Sequence, residues 1–369
     1  MTLCVFVLIA SEFMPVSLLT PITRDLGVTE GLAGQGIAIS GALAVLTSLT
    51  LSTLAGKMNR KFLQLGMTVL MAVSGLIIAL ASSYLMYMVG RAMIGVAIGG
   101  FWSMSAATAI RLVPQHQVTR ALAIFNAGNA LATVVAAPLG SYLGATVGWR
   151  GAFLCLVPIA VVAFIWQCIS LPSMDANKSH TSCGAVFRLF SRRMVVVGMI
   201  ACGLFFMGQF ALFTYVRPFL ESVTRVNSLG LSSILLIIGV AGFIGTLVVS
   251  AFLNRKFYPT LMAVIAIGLM LTGHHVWTVS LLLGLWGMLA TAAPTGWWTW
   301  IARTLPDNAE AGGGLMVAVI QLAIALGSTA GGIVFDRLGW QSTFAMSSVL
   351  LLCAGVLTFV TARQKAGAL

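Results

Sequence analysis

Apolar residues run through this chain in long blocks instead of alternating with polar ones. Blocks near the roughly 20 residues that a helix needs to cross a bilayer recur at 2–21, 32–54, 63–82, 84–111, 120–144, 151–171, 194–219, 229–253, 258–275, 277–302, 312–335 and 342–362. Turn residues or charges bound them, among them Gly56-Lys57, Pro114, Gly148-Trp149-Arg150, Pro172, Pro259, Pro306 and Gly339. The pattern predicts twelve spanning helices and an all-α polytopic membrane protein. The first block begins at Met1 with no basic leader, so a longer natural N-terminus is expected. No small-residue cleavage site follows it, and it reads as a spanning helix, not a signal peptide.

Composition removes the other classes. Of 369 residues, 59% are hydrophobic and 8% charged, with a mean hydropathy of +1.04. A soluble domain carries about 25% charge, so no soluble globular fold can hide this much apolar surface, and disorder needs the opposite composition. The net charge of +12 would elsewhere point to nucleic acid. Here it follows the positive-inside rule. With the N-terminus inside, Lys57, Arg60, Lys61, Arg111, Arg120, Lys178, Arg188, Arg192, Arg193, Arg255, Lys256, Arg303, Arg363 and Lys365 fall on the cytoplasmic side, against Arg24, Arg150, Arg217, Arg225 and Arg337 outside. That split places both termini in the cytoplasm and requires no nucleic-acid partner. The six cysteines lie far apart, form no CxxC pair and have no His grouping that completes a metal set, so neither a metal site nor a disulfide framework is expected.

The longest hydrophilic stretch lies between the sixth and seventh blocks. It divides the chain into a first six-helix bundle (1–171), a central cytoplasmic loop (172–193) and a second bundle (194–369). The bundles echo each other in sequence. Asn59-Arg60-Lys61-Phe62 recurs as Asn254-Arg255-Lys256-Phe257, and Gly148-Trp149-Arg150 with Phe153 recurs as Gly339-Trp340-Gln341 with Phe344. Each pair occupies the same loop of its half. Parallel six-helix repeats are an architecture of secondary transporters.

Three motifs resemble those of the major facilitator superfamily. Arg91-Ala-Met-Ile-Gly95-Val-Ala-Ile-Gly99-Gly100 is similar to its fourth-helix motif. Gly128 through Ala137-Pro138-Leu139-Gly140 and Gly144 resembles the Gly/Pro motif of antiporters that export. The loop Gly56-Lys57-Met58-Asn59-Arg60-Lys61 resembles the gating loop between the second and third helices, with Asn59 where the family has an acid. Within the superfamily, Glu12-Phe13-Met14-Pro15-Val16 is similar to a segment shared by the sugar efflux transporters and the bacterial purine ribonucleoside efflux permeases. Phe213-Thr214-Tyr215-Val216-Arg217-Pro218, Gly296-Trp297-Trp298-Thr299-Trp300-Ile301 and Val319-Ile320-Gln321-Leu322 are similar to the permeases. The resemblance implies a proton-driven exporter, without a bound cofactor, of nucleosides such as inosine and guanosine. Sugars of the arabinose kind or lipophilic drugs are the alternative cargo. It also implies a bacterial inner-membrane location and a monomer.

Glu12 is the one acid deep within a spanning block, and a carboxylate in a bilayer is expensive enough to imply function. At about 1.5 Å per residue it lies roughly 12 Å below the outer end of its helix, and Arg91 lies about 10 Å below the same surface. An ion pair is therefore expected. Either the pair fixes two helices, or Glu12 takes up and releases a proton in each cycle with Arg91 tuning it; Arg91 alone can orient Glu12, bind a substrate oxygen or satisfy backbone carbonyls. Trp102 shares a face with Arg91. Asn126 and Asn129 lie one helical turn apart, Gln321 repeats Asn129 in the second half, and Gln209, Phe213 and Arg217 form another stripe. Amides and rings on one face suit a heterocycle, although Arg217 sits near the outer end, where a gate or an anchor is the simpler role. Trp297, Trp298 and Trp300 read as an interfacial aromatic belt or as a cluster of which one lines the cavity, Trp297 and Trp300 sharing a face. Gly128, Pro138, Gly140 and Gly144 are the expected hinge, or else a close-packing surface. An enzyme is not expected, since no nucleophile–base set, zinc motif or P-loop occurs. A channel would not need duplicated halves.

Overall fold

The computed structural model describes residues 2–54, 58–111, 114, 118–174, 193–252, 258–304 and 309–366. Nearly all of them are helical, as the apolar blocks dictate: in hydrocarbon each backbone N–H and C=O must be satisfied within its own segment. The helices are α1 (Thr2–Leu26), α2 (Glu30–Leu54), α3 (Arg60–Ala79), α4 (Tyr84–Arg111), α5 (Val118–Thr146), α6 (Gly148–Leu154), α7 (Leu156–Ser170), α8 (Arg193–Phe213), α9 (Val216–Ser222), α10 (Ser228–Phe252), α11 (Tyr258–Thr272), α12 (Val276–Thr304) and α13 (Ala309–Ala366). Among the described residues, nine stretches are long and apolar enough to cross a membrane, and the shorter apolar Leu131–Thr146 and Tyr258–Thr272 accompany them. One of the nine, Leu315–Thr361, spans 47 residues and supplies two crossings. Each of the twelve sequence blocks is thus found as helix.

Two boundaries differ from expectation. The seventh block, read as one helix, breaks after Phe213 and resumes as α9. Pro218 has no N–H to offer the Thr214 carbonyl, and Tyr215 N bonds Leu212 O in a tighter turn. The eleventh and twelfth blocks, expected to part over 336–341, stay helical up to a single reversal at Gly339, with φ 82°. Gly148, its repeat partner, has φ 78°. Both are left-handed positions that favour glycine, and after each the paired Phe153 and Phe344 are fully buried. One turn has been used twice.

Packing repeats the same symmetry. In the first half α1 lies on α5, α2 on α4, and α3 on α7. In the second, α8 lies against both limbs of α13, α10 on α12, and α11 on α13. The halves meet where α2 packs on α13, α5 on α10, and α1 on α9. Large apolar side chains such as Leu85, Trp166, Ile169, Leu271 and Trp277 are exposed around the bundle, the surface that a bilayer covers.

The glycines of α5 serve close approach. A Cβ at Gly128 would run into the Thr2 carbonyl of α1, at Gly140 into Ser17 and Met14, and at Gly144 into Leu18. Pro138 lies inside a helix continuous from Val118 to Thr146. Gly128→Val is therefore expected to push α1 and α5 apart at a cost of about 1–3 kcal/mol, the usual range for overpacking. A lower thermal midpoint in detergent would register it, and an unchanged midpoint would mean that the contact is not tight.

Candidate functional site

Helix α1 is buried along nearly its whole length, so Glu12 faces protein and not lipid. Its side chain is 7% exposed and accepts a hydrogen bond at 3.3 Å from Nε2 of Gln321 on α13. The carboxylate and the amide come from opposite halves, and the bond crosses the seam between them.

Arg91 does not form the expected ion pair with Glu12. It is completely buried, with Nε donating to Gly36 O at 2.9 Å, Nη1 to Ser11 O at 2.7 Å and Nη2 to Ser40 Oγ at 3.0 Å. The guanidinium fork clamps α1 and α2 onto α4. The fourth-helix motif explains its reach: added Cβ atoms at Gly95 and Gly99 would meet the Ser40 and Ala44 backbone, so α4 lies against α2 and carries Arg91 to those acceptors. Arg91 reaches α1 at Ser11, the residue before Glu12, but two carbonyls and a hydroxyl engage all three of its nitrogens.

Beside Glu12, Phe13 stacks on Phe210 at 6.0 Å between centroids and meets Phe213 edge-on at 6.5 Å. Phe210 and Phe213 are also edge-on to each other. Gln209 is buried, and its Oε1 has no partner among the described residues; neither has Oε1 of Gln321. Acid, amides and rings from both halves therefore surround one depth of the seam. Sequence patterning does not single out Phe13 and Phe210; the signal available is their adjacency to Glu12 and Gln209.

Other expected site residues lie elsewhere. Trp297 packs among Phe205, Tyr258 and Trp300 inside the second half, and Trp300 also fills the space over Gly198, so neither tryptophan opens onto the seam. Trp102 is half-buried against the first-half core. Asn129 is half-buried, and its carbonyl accepts from Thr133. The Asn126 side chain, Gly56 and Lys57 lie outside the described residues. Arg60 N donates to Met174 O, and Lys61 Nζ to Cys168 O. Asn59 caps α3 through Lys61 N at 3.0 Å and holds Ser173 and Met174. This loop is thus tied to the end of its own half.

Toward the end that the basic count assigns to the outside, the halves are joined further. Arg217 is buried, not snorkelling: it pairs with Glu221 at 2.8 Å and donates to the Ser17 carbonyl of α1. Thr329 Oγ1 donates to Gln35 Oε1 at 3.0 Å, and Ser232 to Ser141 at 3.0 Å. Asp336 accepts from Thr29 Oγ1 at 2.6 Å and Gly31 N at 3.0 Å, a carboxylate on the positive end of α2. Asp25 pairs with Arg150 and accepts from Trp149 Nε1. Asp25, Glu221 and Asp336, all near helix ends, each have a specific partner.

Two six-helix bundles meeting along a polar seam inside an apolar shell define a membrane transporter and not an enzyme. The chain belongs to the Major Facilitator Superfamily, whose family model matches residues 1–259. It is 61% identical to the transcription regulatory protein OpdE of Pseudomonas aeruginosa, over 99% of this chain and 93% of the relative. It is 40% identical to the purine ribonucleoside efflux pump NepI of Escherichia coli K12, over 98% of this chain and 92% of that one. Among solved structures, a bacterial homologue of the human lysosomal transporter Spinster, inward-facing and unoccupied, superposes with a TM-score of 0.80 at 13% identity, covering 98% of this chain and 95% of that chain.

Proposed function

We propose that the chain exports purine ribonucleosides such as inosine and guanosine in exchange for protons, by alternating access between its halves in a bacterial inner membrane. It acts as a monomer with both termini cytoplasmic, and the proton gradient is its energy source. The observation that carries this reading is Glu12, buried at the seam and bonded to the opposite half. A carrier needs one group that holds a proton on one stroke and releases it on the other, and a carboxyl at the meeting plane is placed for that. The aromatic trio offers faces for a purine, while Gln209 and Gln321 offer unpaired amide oxygens for its N–H edge. Trp102 and Asn129 are the first half's candidates for the rest of the path. Arg91 positions α1 from behind Glu12, and Arg217 closes the outer end.

The similarity to a purine ribonucleoside pump supports the cargo. Transport also accommodates the regulatory description of the Pseudomonas relative, because an exporter sets the internal level of its solute and a solute can act as an effector. Cells overproducing the chain are expected to release labelled inosine and guanosine several-fold faster than controls, and arabinose or a lipophilic cation no faster. Release of arabinose or the cation alone would replace the nucleoside assignment with the sugar or drug reading.

A further inference from the structure

Gln321 is one member of a stripe along the first limb of α13. Gln321 touches Glu12; Gln321 and Ala325 lie against Gly41; Thr329 bonds Gln35; Gly332 lies against Gly31; and Asp336 caps α2 through Thr29 and Gly31. These positions recur every three to four residues on one helix face. The same element thus touches the carboxylate at mid-depth and makes the outer seal, about 22 Å away at 1.5 Å per residue. On α2, glycines at 31 and 41 let the two backbones approach, with Cβ-to-neighbour distances of 2.7 Å at Gly332 O and 2.8 Å at Gln321 O for an added methyl.

We infer that Gln321 is the positioning residue through which the charge on Glu12 controls the outer seal. The inference rests on the proposed role of Glu12 as the proton carrier. As a carboxylate, Glu12 accepts from the Gln321 amide. As an acid, it keeps a carbonyl acceptor but adds an O–H donor, which the unpaired Oε1 of Gln321 accepts if the amide turns. Either change bears on the limb of α13 that carries Thr329 and Asp336. The charged groups that contact α1 from its neighbours are Arg91 of α4 at Ser11, Arg217 of α9 at Ser17 and Arg150 of α6 at Asp25; Tyr87 lies beside Arg91, Glu221 pairs with Arg217, and Asp336 lies at the far end of the first limb of α13. Of these, Arg91 is committed to α1 and α2. Gln321 is the partner that belongs to the opposite half.

The test is thiol labelling from outside of Thr329→Cys, in the full chain with exposed Cys155, Cys168 and Cys353 changed to Ser, in oriented vesicles at acid and neutral pH. The labelling rate, divided at each pH by that of Val147→Cys on the exposed outer surface so that thiolate titration cancels, is expected to change with pH by about fivefold or more, the low end of coupling between linked sites. Gln321→Leu should remove that dependence. Gln321→Asn, polar but too short to reach Glu12, should do the same and is read where Gln321→Leu fails to fold. If folded Gln321 variants keep the full pH response while Glu12→Gln loses it, the inference is overturned and the proton role of Glu12 stands. If Glu12→Gln keeps it as well, both fall. A pH-independent rate in the unaltered background overturns the inference outright.

Discussion

Glu12→Gln is expected to abolish uphill export while leaving exchange intact. Export of a neutral solute against one proton moves one charge, worth about 2.3 kcal/mol per 100 mV, which sustains a gradient of about 50-fold. Gln keeps the size of Glu and an oxygen for Gln321, but it cannot titrate. The variant should therefore resemble the protonated carrier, equilibrating labelled solute across the membrane with a final ratio near unity. Its exchange should also lose its dependence on pH. Vesicles with an imposed proton gradient measure both quantities at once. A Glu12→Gln protein that still builds the wild-type gradient would show that Glu12 is not the coupling group. Among the described residues Glu12 is the acid buried in a spanning helix, so such a result would require a different coupling ion.

Arg91→Leu is expected to cost more stability than a typical core substitution. The guanidinium makes three hydrogen bonds to two other helices, and bonds to a charged donor contribute about 1.5–3 kcal/mol each, though not additively. A net loss of roughly 3 kcal/mol or more follows, visible as a large drop in thermal midpoint or as absence of folded protein. Arg91→Lys is the discriminating variant. An ammonium keeps the charge but cannot span the fork that holds Gly36, Ser11 and Ser40 together. It should fold with a lowered midpoint and should slow exchange, because α1 no longer holds Glu12 in register. An Arg91→Lys protein as stable and as fast as the parent would assign Arg91 a purely electrostatic role.

The loop that resembles the family's gating motif gains a physical account from its departure. Asn59 supplies an acceptor to the first turn of α3, as a good N-cap does, and binds the 173–174 segment through the same side chain. Polar contact between the halves is described instead at the opposite end, where Asp336 caps α2.

What the sequence determined by itself was the set of spanning helices, their pairing into repeated halves and the position of Glu12, an acid deep within a spanning helix. These follow from local rules: apolar length against bilayer thickness, basic residues against loops, and the reuse of a glycine turn at Gly148 and Gly339. The tertiary structure decided which groups meet. Arg91 and Glu12 lie at similar depth along their helices, yet depth fixes only one coordinate, and the rotation of α4 against α1 and α2 turned the guanidinium to other acceptors. Trp297 and Trp300 share a face, but the packing of α12 on α8 and α11 turned that face inward. Gln321 reached Glu12, and Asp336 reached α2, across more than 300 residues of chain. No local periodicity encodes such a contact, because it depends on how two separately folded bundles dock.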